Sequence, residues 1–174
     1  MNLLIPQNEI HKLRIKSYNY LSHTLTDRQL CDIELLLNGA FNPLKGFLNK
    51  SDYESVLDNL ELSNGSIWPV PVNLDVNDKL AHSISIGDCL SLKDKEGFLI
   101  AILDVDEVWV PNLEEESEAI YGTNDKSHAG VRHLLKNTNK NYVSGKIKAL
   151  KPPHHYDFKE IRHTPKELKD FFIK

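Results

Sequence analysis

Residues 25–75 read LTDRQLCDIELLLNGAFNPLKGFLNKSDYESVLDNLELSNGSIWPVPVNLD, and the change of period inside this stretch decides the fold. Thr26-Asp27-Arg28-Gln29 is a capping box, followed by Leu30, Ile33, Leu36 and Leu37 at helical spacing, so a helix is predicted over 27–37. Asn38-Gly39 supplies the left-handed residue that ends it, and Pro43 with Gly46 turns the chain. Ser51-Asp52-Tyr53-Glu54 has the form of a second capping box, with Tyr53, Val56, Leu57 and Leu60 on one apolar face and Asn64-Gly65 closing the unit. From Ser66 the pattern becomes extended through Ile67, Val70, Val72, Leu74 and Val76, while Pro69 and Pro71 restrict it to an edge or irregular strand.

Upstream, residues 1–22 mix Leu3, Leu4, Ile5 and Pro6 with Ile10, Leu13 and Ile15 among basic residues, and an irregular arm or short strand is expected. Downstream, a short turn or helix is expected around 77–82, and Cys89–Leu92 and Phe98–Val105 flank a Lys93–Gly97 hairpin signal. Trp109-Val110-Pro111 closes a further extended run. Leu113–Tyr121 is an acidic helix whose Glu114, Glu115, Glu116 and Glu118 read as a solvated face. A short helix over 128–137 carries Val131, Leu134 and Leu135, and a last strand over 142–150 carries Val143, Ile147 and Ala149 on one face. Thr164-Pro165-Lys166-Glu167 starts a final helix with a Leu168, Phe171, Phe172 stripe. No repeat or linker interrupts the chain, so residues 1–174 are expected to form a single α+β domain.

The chain of 174 residues is long enough to bury about two-thirds of the surface its unfolded form exposes, without disulfides. Its two cysteines, Cys31 and Cys89, sit in apolar-periodic segments and read as buried reduced thiols, which favours a cytoplasmic setting. No apolar run approaches the roughly 18 residues of a membrane span, and the amino terminus lacks a signal-peptide core. A net charge of −4 gives no basic footprint, so neither nucleic acid nor an anionic membrane is expected as partner.

Chemistry is sparse along the chain. Neither GxGxxG nor GxxxxGK[ST] occurs, and the Gly39–Gly46 loop follows a helix rather than a strand. That loop reads as a structural connector before an anion site, with Lys45 the one anion-contact candidate. His154-His155 would point to opposite faces of an extended segment, and His128 and His133 lie five apart, so all four read as surface or packing histidines. No GxSxG elbow is present. No catalytic, cofactor-binding or metal-ligating residue is assigned on this basis.

The stretch LTDRQLCDIELLLNGAFNPLKGFLNKSDYESV, with SIWPVPVNLDV after it, resembles the amino-terminal domain of ATP sulfurylase (sulfate adenylyltransferase), whose pattern is LTxRQxCDLELLxxGGFSPLxGFM and then LWPIPITLDV. Further matches are Ala119-Ile120-Tyr121-Gly122-Thr123, His128 with Gly130-Val131, and Gly145 leading to Lys151–Phe158, Ile161-Arg162 and Thr164-Pro165. Ala40, Asn42, Leu48 and Asn73 depart from the pattern. The resemblance implies a PUA-like β-pseudo-barrel with flanking short helices. It also implies a parent reaction, ATP plus sulfate giving adenosine 5′-phosphosulfate and pyrophosphate, that serves sulfate assimilation or sulfur oxidation and uses Mg-ATP.

Catalysis in that family belongs to a following nucleotidyltransferase domain with the motif QxRNPxHxxH. Here Asn42-Pro43 is the only Asn-Pro pair, and it continues Leu44-Lys45-Gly46 without the motif's histidines. The chain is therefore expected to stop at the seam before the catalytic domain and to be inactive alone, supporting and docking a catalytic domain supplied in cis or in trans. A freestanding PUA-like RNA- or ligand-binding module and a homo-oligomerisation module are the alternatives.

Overall fold

The structure, a computed structural model, describes residues 3–153 and 155–173. Among these the chain forms, in order, α1 (Gln7–Ser17), β1 (Leu21–Thr24), α2 (Asp27–Leu37), β2 (Gly46–Phe47), α3 (Lys50–Asn59), β3 (Leu74–Val76) and α4 (Asp78–Ser83). There follow β4 (Cys89–Lys93), β5 (Leu99–Trp109), α5 (Leu113–Tyr121), α6 (Ala129–Asn137), β6 (Asn141–Ala149) and α7 (Pro165–Phe172). The strands make one mixed sheet in the order β1-β4-β5-β6-β2, with β3 also pairing β6. The fold is α+β, as expected.

The chain forms two compact units, and β5 and β6 each contribute residues to both. The first comprises Met1–Gly46, Asp88–Asp104 and Lys146–Lys174. In it β1 runs parallel to β4 with Leu21 opposite Leu90, and β4 pairs antiparallel with β5 from Cys89 opposite Asp104. Its buried side chains include Ile33 and Leu36 from α2 and Leu90, Leu92, Ile100 and Ile102 from the hairpin. Removing such side chains from water is worth about 1.5–3 kcal/mol each.

Residues 27–37 form α2 as predicted, and the capping box is closed from both sides: Gln29 N donates to Thr26 Oγ1 at 3.3 Å and Thr26 N donates to Gln29 Oε1 at 3.0 Å. The same Gln29 Oε1 lies 2.9 Å from Nε2 of the buried His23. Gly39, at φ 82°, turns the chain out of the helix, and Asn42-Pro43 is cis. Residues 7–17 are helical, where an irregular arm or short strand was expected. The helix starts after Pro6, whose extended backbone serves as its cap, and its apolar residues are only partly covered, Ile15 being 54% exposed. That thin stripe leaves no clear period in the sequence.

The second unit comprises Phe47–Gly87 and Val105–Gly145. Here β3 pairs antiparallel with β6, Leu74 opposite Val143. The predicted cap of α3 is corrected by one turn geometry winning over another. Asn49, not Ser51, accepts from Asp52 N at 2.7 Å, so the helix begins at Lys50, and the Asp52 carboxylate instead accepts from Ser63 N at 2.9 Å. Leu60, left-handed at φ 58°, ends α3, while Asn64-Gly65 forms the turn of a small bridge between Glu61 and Ile67. α5 spans Leu113–Tyr121 as predicted, and α6 is capped by His128. Gly130 is needed for close approach: a Cβ there would stand 2.6 Å from the Tyr121 ring.

Candidate functional site

Each unit holds a polar cluster among its described residues. In the second unit, Glu116 of α5 is 5% exposed and belongs to no solvated face. Its Oε2 accepts from Tyr53 Oη at 2.9 Å and Tyr142 Oη at 2.8 Å, phenols that are themselves 4% and 1% exposed. The solvated reading holds for Glu114, Glu115 and Glu118 and is corrected for Glu116. The helical period carries the reason: Leu113, Glu116, Ser117 and Ile120 fall at i, i+3, i+4 and i+7, so Glu116 rides on the inward stripe. Trp109 completes the cluster, its ring centroid 6.0 Å from that of Tyr53 and 5.8 Å from that of Tyr142. Beside it lies a cavity of about 500 Å³ to which Tyr53, Trp109, Glu54, Asp58 and Glu115 contribute.

Burial, and then the charge of Glu116, push both phenols well above the ordinary tyrosine range. In the folded protein they stay protonated at pH values where the unfolded chain, titrating near 10, has lost those protons. The unfolded state then binds fewer protons. Stability is therefore full below about pH 10 and falls as the pH rises beyond it, by up to about 2.7 kcal/mol per pH unit for the pair. Urea unfolding followed from pH 9 to pH 11 is expected to show this slope, and Tyr53→Phe is expected to halve it.

In the first unit, Glu34 of α2 holds the segment after β6. His155 Nε2 lies 2.7 Å from Glu34 Oε2, Arg162 Nη1 lies 3.9 Å from Oε1, and Arg162 Nη2 lies 3.7 Å from Asp157 Oδ1. Beyond these contacts the segment is strongly apolar at its surface: Phe158 is 68% exposed, Ile161 72%, Phe171 70% and Phe172 77%. α7 has both halves of the predicted capping box, Glu167 N donating to Thr164 Oγ1 at 3.3 Å and Thr164 N donating to Glu167 Oε2 at 2.6 Å.

The remaining sequence candidates are dispersed. Lys45 is exposed, and its carbonyl accepts from Ile147 N at 3.0 Å, which ties the Gly39–Gly46 loop to β6. His128 caps α6 through Nδ1 and stacks against Tyr121 with centroids 5.1 Å apart; His133 Nδ1 lies 3.2 Å from the Asn137 amide. His154 lies outside the described residues, and His155 is a packing partner of Glu34. Among the described residues no group of three or more His, Cys, Asp or Glu side chains is placed to hold a metal ion, and no helix is long and apolar enough to cross a membrane.

Both cysteines are free thiols, but Cys31 is exposed on α2, a correction to its buried reading. It sits between the inward positions of the helix rather than on them. Cys89 is half-buried, and burial together with the Asp104 carboxylate 3.5 Å away pushes its thiol up. Asp104 in turn pairs with Lys148 at 2.6 Å. Titration with a thiol-reactive disulfide near pH 8 is expected to modify Cys31 first and Cys89 at least about tenfold more slowly; equal rates would contradict this placement.

The family described as PUA-like domain matches this chain over residues 1–152. Sulfate adenylyltransferase from Schizosaccharomyces pombe is 43% identical over 150 residues, covering 85% of this chain and 31% of that protein. The Saccharomyces cerevisiae enzyme of the same name is 40% identical over 154 residues, covering 88% and 30%, and that of Neosartorya fischeri is 36% identical over 166 residues, covering 94% and 29%. Among solved structures, the hexameric APS kinase from Thiobacillus denitrificans matches with a TM-score of 0.75 at 27% identity, over 99% of this chain and 30% of that one. The chain thus spans about a third of the length of the curated relatives it matches. On these grounds the chain belongs to the PUA-like domain family, in a form related to one part of the sulfate adenylyltransferases.

Proposed function

We propose that this chain is the non-catalytic amino-terminal domain of a sulfate adenylyltransferase, its two units serving as one PUA-like domain that supports and docks the catalytic part, in cis or in trans. The observation that carries this reading is the surface of the last segment. The family match ends at residue 152, yet the longer structural neighbour covers 99% of the chain and so reaches into α7. That extra segment is where Phe158, Ile161, Phe171 and Phe172 stand exposed, an apolar face suited to a large partner surface.

The chemistry then belongs to the partner. A sulfate oxygen attacks the α-phosphorus of ATP and pyrophosphate leaves, with positioning and cationic stabilisation outside this chain lowering the barrier. Mg-ATP would be bound there, in a cytoplasmic enzyme of sulfate assimilation or sulfur oxidation. Lys45 is the candidate anion contact on this chain's side. Supplied with adenosine 5′-phosphosulfate and pyrophosphate, the purified chain is expected to form no ATP, and ATP formation at enzymatic rates would overturn the reading.

The hexameric neighbour favours one second reading, in which the same apolar face joins copies of this chain. Sedimentation equilibrium decides between them: a concentration-dependent oligomer supports self-association, and a monomer leaves the face to a catalytic partner.

A further inference from the structure

Phe158 has a left-handed backbone at φ 50°, a conformation that bulky residues rarely adopt, and the amides of Ile161 and Arg162 both donate to its carbonyl at 3.1 Å. A strained turn over residues 158–162 thus carries the exposed Phe158 and Ile161. Both flanks of this turn return to one side chain of α2. His155 Nε2, before the turn, lies 2.7 Å from Glu34 Oε2, and Arg162 Nη1, at its end, lies 3.9 Å from Oε1. Arg162 also lies 3.7 Å from Asp157, which ties the segment to itself. Glu34 stands next to the fully buried Ile33 and two residues before the buried Leu36, on a helix whose first turn is closed by its capping box. α7 starts at Pro165, three residues beyond Arg162, so the placement of the turn also sets where Phe171 and Phe172 emerge.

We propose that Glu34 is a positioning residue for the docking face: it clamps residues 155–162 against α2 and so fixes the direction in which Phe158, Ile161 and α7 meet a partner. The inference rests on the docking reading given above. Glu34 acts through His155 and Arg162 rather than by touching the partner. Each ion pair is partly exposed and weak by itself, but both close on one carboxylate, so removing that carboxylate releases both flanks of a strained turn at once. Chains whose turn has swung away no longer present the face, and the apparent affinity falls with the fraction that still does.

The test compares Glu34→Ala, Arg162→Gln, their double variant and Arg162→Lys in the full chain, by amide hydrogen exchange, thermal midpoint and calorimetric affinity for the catalytic part of a sulfate adenylyltransferase. Glu34→Ala is expected to keep the midpoint, to speed exchange over residues 155–162 by about threefold or more and to weaken docking by a similar factor. The double variant is expected to be no worse than Glu34→Ala, because both substitutions break the same clamp. Arg162→Lys, which keeps the charge, is expected to stay near the parent. Unchanged exchange or unchanged affinity in Glu34→Ala overturns the proposal, and so does full additivity in the double variant. Failure of the docking reading looks different: the parent chain forms no complex while exchange in Glu34→Ala is still faster, which overturns the positioning role together with docking.

Discussion

Glu116→Ala is expected to lower the unfolding free energy by about 3–5 kcal/mol, the largest effect of any single substitution considered for this chain. One carboxylate oxygen accepts from both Tyr53 and Tyr142, at 2.9 and 2.8 Å, and all three side chains are at least 95% buried. Removing it leaves two buried phenols without that acceptor, at about 1–3 kcal/mol each, and adds a void where the side chain was. Tyr142→Phe removes only one donor and should cost about 1–2 kcal/mol. Glu114→Ala and Glu115→Ala, exposed on the same helix, should stay within about 0.5 kcal/mol of the parent. Urea denaturation of the four variants checks the order; equal costs for Glu114, Glu115 and Glu116 would contradict the buried cluster.

This cluster also shows where the sequence was legible and where it was not. The α2 boundaries, the closed Thr26–Gln29 box, the acidic helix α5 and the hairpin of β4 and β5 all follow from period and capping chemistry that lie within a few residues of one another. Glu116 is a different case. Its neighbours in sequence are three other glutamates, and its partners are 63 and 26 residues away, so only the stripe it shares with Leu113, Ser117 and Ile120 marked it as inward. The start of α3 was misread because two capping residues, Asn49 and Ser51, stand two apart, and the choice depends on Asp52 reaching Ser63 across a turn. α1 was missed because its apolar side is too thin to set a period. The resemblance to sulfate adenylyltransferase, by contrast, was carried by strings spread along the chain, and the relatives bear it out.

Phe171→Asp/Phe172→Asp is expected to weaken association with the catalytic part of a sulfate adenylyltransferase by about 100-fold or more while leaving the domain folded. The two rings meet edge to face at 5.8 Å and remain 70% and 77% exposed, so charging them removes little from the core of the chain itself. Buried at an interface, aromatic anchors of this size commonly account for about 2 kcal/mol or more each, and a carboxylate in their place would have to be desolvated without a partner. An unchanged thermal midpoint with lost binding is the expected pattern. Lost binding accompanied by unfolding would instead place α7 in the stability of the domain.

Docking is tested by titrating this chain into the catalytic part of a sulfate adenylyltransferase prepared without the region that matches this chain. Binding is followed by calorimetry, and activity by ATP formation from adenosine 5′-phosphosulfate and pyrophosphate. A scaffold that docks but does not react predicts a saturable complex, a rate that rises as the complex fills, and none from this chain by itself. Turnover by the chain alone, or a mixture that forms no complex and gains no activity, would contradict it.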